Sequence, residues 1–126
     1  MLSRISYITL WVNEYDACLP FYRDVLELPL ESADENFAQF ATEGTKLYLH
    51  RLGNKTPLRT HALEIHFDVL DVDAAYNSLL RKGAQFEQPP ANMPWGTRMA
   101  ALRDPEGNAI EIVGPLDPQE PIKGYA

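Results

Sequence analysis

Three side chains that can bind a proton or a metal ion alternate along the short stretch ALEIHFDV at residues 62–69. Glu64, His66 and Asp68 fall on one side of the alternation. Apolar residues fall on the other side: Leu63, Ile65, Phe67 and Val69. This period of two predicts a β-strand with one face on a core. The two carboxylates and the imidazole are therefore expected to share the other face, where they suit general acid–base chemistry or metal binding.

A helix is predicted directly after this strand. Apolar residues recur at helical spacing, and Gly83 suits the left-handed position that ends a helix. The residues at this spacing are Val72, Ala75, Tyr76, Leu79 and Leu80. The strand that carries the titratable side chains is therefore followed by an amphipathic helix, and the two form one unit.

The same unit occurs earlier in the chain, as a strand over Ile5–Val12 followed by a helix. At an offset of 57 residues the matched pairs are Ile8 with Ile65, Val12 with Val69, Asp16 with Asp73, and Ala17 with Ala74. In the first copy Tyr7, Thr9 and Trp11 share one side of the strand. The chain therefore contains an internal repeat, which is informative about its architecture.

The remaining segments complete two modules of similar order. Phe37–Ala41 and Lys46–Leu52 are predicted strands of the first module, and Gly53–Arg59 is a predicted linker. In the second module, Ala84–Glu87 suits a strand and Gln88–Pro94 a proline-rich loop. A type I turn at residues 104–107 is predicted to join strands Thr97–Arg103 and Ala109–Val113.

We therefore expect a single domain. Its first module covers about residues 1–56, its second about residues 57–114, and residues 115–126 form a C-terminal tail. The tail has few core residues, so it is expected to lie across the surface, contact a partner or be partly disordered.

The overall composition limits the class of protein. At 126 residues with a net charge of −7, the chain has room for one core and lacks the basic surface that binds nucleic acid. No apolar run reaches the ~18 residues that cross a bilayer, and no secretory signal is recognisable, so we expect a cytoplasmic protein without a membrane partner. The single cysteine, Cys18, excludes an intramolecular disulfide.

Four segments together resemble the vicinal-oxygen-chelate superfamily. They are ITLWV, FYRDVLEL, FDVLDVDAA and WGTRMAALRDPEGNAIEIV, and the resemblance extends from Ile5 to Val113. The superfamily includes glyoxalase I, bleomycin-resistance proteins, extradiol dioxygenases and methylmalonyl-CoA epimerase. The resemblance implies an α+β fold in which two βαβββ modules form a cupped mixed sheet with helices on the outside. It also implies a homodimer.

Family enzymes commonly hold a divalent metal with four side chains, and the resemblance assigns those positions to Tyr7, Tyr48, Glu64 and Glu111. Only Glu111 is the residue type usual at its position. Glu64 can ligate a metal but stands where histidine is common. A neutral tyrosine is a poor ligand at pH 7 because its phenol titrates near 10. The resemblance therefore implies that two of the four ligands remain.

Strand parity suggests a displaced site. His66 follows Glu64 by two residues and His50 follows Tyr48 by two, so each histidine shares a face with a family ligand position. A set of Glu64, His66, Glu111 and His50 would suit zinc, nickel or ferrous iron. The alternative is that His66 hydrogen-bonds Glu64 or Glu111 as part of a polar lining.

Two functions follow, and both imply a small-molecule ligand. The first is a glyoxalase-like lyase or isomerase acting on a small carbonyl or hydroxy metabolite, with Glu64 or Glu111 as the catalytic base. A metal would hold the enolate oxygen, or Arg98 would do so if its side chain points into the cavity.

The second function is metal-free binding of a cationic or planar drug, as in bleomycin-resistance proteins. Aromatic rings would stack on such a ligand, and Glu64, Asp68 and Glu111 would meet its charge. The predicted rings are Tyr7, Trp11, Tyr48 and Trp95. A structural or regulatory dimer is a third alternative.

Overall fold

Each half of the chain has the element order strand, helix and three strands. The computed structural model describes residues 3, 5, 7–53 and 63–124. The first half contains β1 (Tyr7–Val12), α1 (Tyr15–Pro20), β2 (Leu30–Ala33), β3 (Phe37–Phe40) and β4 (Lys46–Arg51), and α1 continues as a π-helix over Phe21–Val25. The second contains β5 (Glu64–Asp68), α2 (Val72–Arg81), β6 (Phe86–Asn92), β7 (Arg98–Arg103) and β8 (Ala109–Gly114).

The chain separates into two compact units, Met1–Leu58 and Arg59–Ala126. The predicted linker lies outside the described residues, apart from Gly53. Each unit has one mixed four-stranded sheet and one helical segment, so the predicted α+β class with two βαβββ modules is confirmed.

In the first unit the strand order is β1-β4-β3-β2. The pair β1 and β4 is parallel, and β3 runs antiparallel to β4. Alternation buries one face of these strands with residues Leu10, Val12, Ala38, Phe40, Leu47 and Leu49. The opposite face carries Tyr7, Thr9 and Trp11, as the sequence pattern predicts.

In the second unit the order is β5-β8-β7-β6, with β5 and β8 parallel. Asp71 caps α2, since its Oδ1 accepts a hydrogen bond from the Ala74 amide at 3.1 Å. The helix and one face of the sheet share a core of Val72, Leu79, Ala100, Leu102, Ile110 and Ile112. The predicted hairpin between β7 and β8 is present, and the Gly107 amide donates to the Asp104 carbonyl at 2.9 Å.

The prediction of a loop over Gln88–Pro94 is wrong for most of its length, because β6 extends to Asn92. Two features allow Pro89 and Pro90 within this strand. It lies at the edge of its sheet, and its register shifts between Gln88 and Ala91. Proline lacks an amide donor, and an irregular edge strand tolerates that loss.

The C-terminal tail packs along the edge strand β6, and Asn92 fixes it there. The side-chain Nδ2 of Asn92 donates to the backbone carbonyls of Asp117 at 2.7 Å and Glu120 at 3.0 Å. Its side-chain Oδ1 accepts a hydrogen bond from the backbone amide of Asp117. The Lys123 amide donates to the Asn92 carbonyl at 2.7 Å. Of the three expectations for the tail, the structure therefore supports an arm across the surface. Neither helix in the described part of the chain could span a membrane.

Candidate functional site in the second unit

The polar face of β5 adjoins Glu111 on the neighbouring strand. Parallel pairing places His66 directly beside Glu111, while Glu64 lies beside Ala109 and Asp68 beside Val113. Residues in register on adjacent strands project to the same side of a sheet. The face therefore contains the predicted carboxylates and imidazole, with His66 in the central row.

The imidazole of His66 lies between two carboxylates. Its Nδ1 is 2.8 Å from Glu111 Oε2, and its Nε2 is 3.4 Å from Glu64 Oε2. The environments of the carboxylates differ, since the Glu111 side chain is 13% exposed and that of Glu64 is 56% exposed. We name Glu64, His66 and Glu111 the Glu-His-Glu cluster.

Burial raises the pKa of the Glu111 carboxyl above its usual value. The nearby charge of His66 opposes this rise, and the negative charge of Glu64 adds to it. Desolvation disfavours the ionised form of an acid, and a neighbouring carboxylate acts in the same direction. Glu111 is therefore a better proton acceptor than an ordinary surface glutamate.

The Glu-His-Glu cluster could hold a divalent metal ion. One ligand atom from each of its three residues can be chosen so that all lie within 4.8 Å of one another. Two carboxylates and an imidazole suit several divalent ions, and three protein ligands leave coordination positions for a substrate. The donor set fits a metal. The direct contact of His66 with Glu111 at 2.8 Å is equally compatible with the alternative of a polar lining.

The register adds the position of each residue within the shared face. The residue directly beside Glu111 is His66, and Glu64, which the resemblance assigns to a ligand position, lies one row away on the same face, beside Ala109. Asp68 lies on the same face, two residues beyond His66, and it is outside the cluster. Sequence parity identifies the shared face, but it does not determine which residue of β5 lies opposite Glu111.

In the first unit, aromatic side chains cover the corresponding sheet face. Tyr7 stacks on Tyr48 with ring centroids 4.6 Å apart, and Trp11 stacks on His50 at 4.0 Å. The ring of Phe37 contacts both Tyr48 and His50, at 5.6 Å and 5.5 Å. We name Tyr7, Trp11, Phe37, Tyr48 and His50 the aromatic face.

Three predicted ligand-binding residues, Tyr7, Trp11 and Tyr48, therefore lie together. The sequence analysis missed Phe37, although its place in a short alternating strand was a usable signal. His50 belongs to this aromatic face in the first unit, whereas the Glu-His-Glu cluster is formed within the second unit without it. Trp95 also lies in the second unit, in the turn between β6 and β7.

Arg98 does not supply a cation on the face that carries Glu111. It lies in the row of Gly114 and alternates with Met99, so its side chain lies on the helix side of the sheet. There its Nε and Nη2 donate to the Asp73 carboxylate at 2.7 Å and 3.0 Å, and its Nη1 donates to Asn92 Oδ1 at 3.3 Å. Arg98 is 7% exposed and borders a cavity of about 390 Å³ between the start of α2 and the tail. This correction removes Arg98 from the candidate site.

A different arginine, Arg103, shares the sheet face of Glu111, and the sequence analysis missed it. It pairs in register with Ala109, which lies beside Glu64. Its Nε lies 2.6 Å from Glu87 Oε1, and its Nη1 donates to the Gly107 carbonyl at 2.8 Å. The parity of β7, counted from a correctly placed strand start, was the signal that would have identified it.

Known proteins match this chain along most of its length. The sequence profile of the Glyoxalase/Bleomycin resistance protein/Dioxygenase superfamily matches residues 4–112. A protein of Bacillus subtilis (strain 168), the uncharacterized YraH, is 31% identical over 123 residues, which cover 86% of this chain and 96% of that protein.

Solved structures share the fold. A glyoxalase/bleomycin resistance protein/dioxygenase from Nocardioides aligns with a TM-score of 0.76 and 26% identity, covering 100% of this chain and 92% of that one. Lactoylglutathione lyase from Agrobacterium tumefaciens aligns with a TM-score of 0.73 and 22% identity, covering 90% and 95%. At this identity the second likeness concerns the fold alone.

Proposed function

Because this chain belongs to the Glyoxalase/Bleomycin resistance protein/Dioxygenase superfamily, we propose that it is a glyoxalase-like lyase or isomerase acting on a small carbonyl or hydroxy metabolite. One observation carries this proposal: the enclosed Glu111 carboxylate contacts His66 at 2.8 Å, while Glu64 contacts the other nitrogen of the same ring. Titratable groups with a perturbed pKa and specific charged partners are typical of catalytic sites.

In the proposed reaction, Glu111 removes a proton from the carbon next to a carbonyl group. The electron pair of the broken C–H bond moves to the carbonyl oxygen as an enolate. Protonated Glu111 then returns the proton to the same carbon. In an α-hydroxy carbonyl compound it can instead protonate the former carbonyl carbon, once the hydroxyl proton has moved to the enolate oxygen and a new carbonyl group forms at the first carbon. A raised pKa suits the first step, since it makes the Glu111 carboxylate a stronger proton acceptor. In the metal-free chain, His66 Nδ1 contacts the Glu111 carboxylate at 2.8 Å and orients it.

The proposal includes one divalent metal ion, with zinc, nickel and ferrous iron as candidates. Glu64, His66 and Glu111 would hold it, because they combine the carboxylate and imidazole donors that such ions accept. A bound divalent ion supplies the positive charge that stabilises an enolate oxygen.

The test is exchange of carbon-bound protons with solvent. Hydroxyacetone and dihydroxyacetone in D₂O are incubated with the protein and added zinc, nickel or ferrous iron, and deuterium incorporation is measured by NMR. We expect incorporation with the wild-type chain and at least a hundredfold slower incorporation with Glu111→Gln, since general-base catalysis contributes roughly 10²–10⁴-fold. Glu43→Gln, the same chemical change at an exposed bend of the first unit, is the control and should match wild type.

Incorporation at the wild-type rate in Glu111→Gln would contradict the role of Glu111. The absence of incorporation from a wider set of α-hydroxy and α-keto compounds, with each of the three metals, would contradict the lyase or isomerase activity.

A second candidate function is metal-free binding of a planar or cationic small molecule. The aromatic face supports it, because Tyr7 and Trp11 are about half exposed although each already stacks on a neighbouring ring. Half-exposed aromatic rings supply a large contact area for a planar ligand. Planar organic cations should raise the melting temperature in the presence of EDTA, and no rise with any member of such a set would contradict this function.

We also propose that the protein forms a homodimer, since members of the superfamily commonly do so. Light scattering coupled to size exclusion should give about twice the chain mass of 14.3 kDa. A mass equal to that of one chain at micromolar concentration would contradict the dimer.

A further inference from the structure

The His50 ring has its hydrogen-bonding roles fixed by the backbone. Its Nδ1 lies 2.9 Å from the carbonyl oxygen of Arg51. A carbonyl oxygen only accepts hydrogen bonds, so Nδ1 must carry the proton. In the neutral imidazole Nε2 is then unprotonated and can act only as an acceptor.

The position of Nε2 follows from the geometry of the ring. Nδ1 adjoins the atom that joins the ring to the side chain, whereas Nε2 lies on the far side of the ring. Since Nδ1 faces the backbone, Nε2 points away from it. Within the described part of the chain, the hydrogen bond at Nδ1 is the only one that the His50 ring makes. Nε2 is absent from the buried polar atoms without a partner, so it is not enclosed by the protein. His50 is itself only partly buried.

Two aromatic rings contact the His50 ring that carries this acceptor. Trp11 stacks on the His50 ring at 4.0 Å with an interplanar angle of 21°, and Phe37 lies at 5.5 Å and 59° on the neighbouring strand. The ring carbon atoms of Trp11 and Phe37 offer no strong hydrogen-bond donor to Nε2, so a ligand can supply one. A ligand that supplies a donor there gains a hydrogen bond, while its ring can contact Trp11 or Phe37.

We propose that His50 Nε2 is the specificity-determining acceptor of the aromatic face. The face binds small aromatic molecules that carry an N–H or O–H donor, such as phenols and indoles, in preference to the same rings without a donor. This inference rests on the second candidate function, because it names the ligand class for that surface. It does not involve the Glu-His-Glu cluster.

The experiment compares two neutral probes that share one ring system, 2-naphthol and 2-methoxynaphthalene. Each is titrated calorimetrically into the full-length wild-type chain at pH 7.5 in EDTA. A net hydrogen bond contributes about 1 kcal/mol, so 2-naphthol should bind about fivefold more tightly. On saturation with 2-naphthol, but not with 2-methoxynaphthalene, the ¹⁵N resonance of His50 Nε2 should move upfield, as an imidazole nitrogen does when it accepts a hydrogen bond.

The matched variant is His50→Phe, which keeps a flat ring beside Trp11 and removes the acceptor. It should bind both probes with equal affinity. The two wild-type measurements test the inference even if this variant does not fold.

Three results would overturn the inference, and they are distinguishable. Equal binding of both probes to wild type would overturn the role of His50 and leave the aromatic binding surface in place. Binding of neither probe would overturn both the inference and the second candidate function. Preference for 2-naphthol that persists in folded His50→Phe would assign the acceptor to another group.

Discussion

His66 Nδ1 lies 2.8 Å from Glu111 Oε2 because parallel pairing of β5 and β8 places these two residues side by side. The strands differ in their place in the sheet. β5 lies at an edge, whereas β8 lies between β5 and β7. Glu111 is therefore more enclosed than His66, and the imidazole is a direct polar contact of its carboxylate.

Asp73→Asn should destabilise the second unit. It removes the charged partner of Arg98. The guanidinium of Arg98 is almost fully buried and is therefore poorly solvated. A hydrogen bond to a charged group contributes about 1.5–3 kcal/mol, and we expect about 1–2 kcal/mol here because Asp73 is half exposed and therefore screened. The free energy of unfolding is measured in urea at pH 7.

Asp16→Asn is the matched control for that measurement. Asp16 is the repeat counterpart of Asp73, and it contacts Arg51 at the same distance of 2.7 Å. The Asp16 side chain is 85% exposed, however, so its loss should change stability much less. A loss equal to or larger than that of Asp73→Asn would contradict the importance of Arg98 burial.

The contribution of Asp73 should depend on pH in a defined direction. The hydrogen bond from Arg98 holds the pKa of the Asp73 carboxyl below its usual value. An unfolded aspartate titrates near 3.9, so the stabilisation is complete above about pH 5 and is lost as the pH falls through the lower folded pKa. The stability difference between wild type and Asp73→Asn should therefore shrink on acidification from pH 5 to pH 2. A difference that stays constant over this range would contradict the assignment.

Hydrophobic periodicity in the sequence predicts those strands and helices that bury only one of their faces. The alternation at β5 and the helical spacing of α2 both hold, because each reflects contact with a single core. The strand β6 was missed because edge pairing and a register shift tolerate its prolines, and neither feature is visible locally. The strand β2 was missed because all four of its residues are exposed and carry no alternation in burial.

Residue type and strand parity pointed to the three residues of the Glu-His-Glu cluster, and the register of the strands came only from the structure. Parity alone placed Glu64 and His66 on one face, but the residue beside Glu111 depends on how β5 aligns with β8, which the sequence does not specify. The sequence did not determine the side of the sheet on which Arg98 lies, because Arg98 is at the start of β7, directly after a turn. Hydrogen bonds to Asp73 and Asn92 hold it on the helix side.

Asn92→Ala should loosen the tail. The Asn92 side chain is 2% exposed and bonds backbone groups of Asp117 and Glu120, which lose these partners in the variant. We expect a loss of about 2–4 kcal/mol in unfolding free energy, as for a buried polar network that is broken. Hydrogen exchange at the Asp117 amide should accelerate, while exchange at the Lys123 amide, which bonds the Asn92 backbone, should change less. Unchanged exchange at Asp117 would contradict this role.

His66→Phe should raise the pKa of Glu111 in metal-free protein. The charge of His66 opposes the effect of burial on the Glu111 carboxyl, so its removal leaves burial and Glu64 to act unopposed. Carbon-13 NMR titration of the glutamate carboxyls in EDTA measures this change, and Glu43 is an exposed internal reference. An unchanged or lower pKa of Glu111 would contradict the contact between the two residues.

Calorimetric titration with zinc, nickel and ferrous iron tests the central claim most directly, namely that Glu64, His66 and Glu111 act as one site. We expect the wild-type chain to bind one equivalent of at least one of these ions. Glu111→Gln and His66→Phe should each weaken that binding at least roughly tenfold, because each removes one of three donors. Glu43→Gln should bind as wild type does. No binding of any of the three ions, or equal affinity in wild type and Glu111→Gln, would contradict the account.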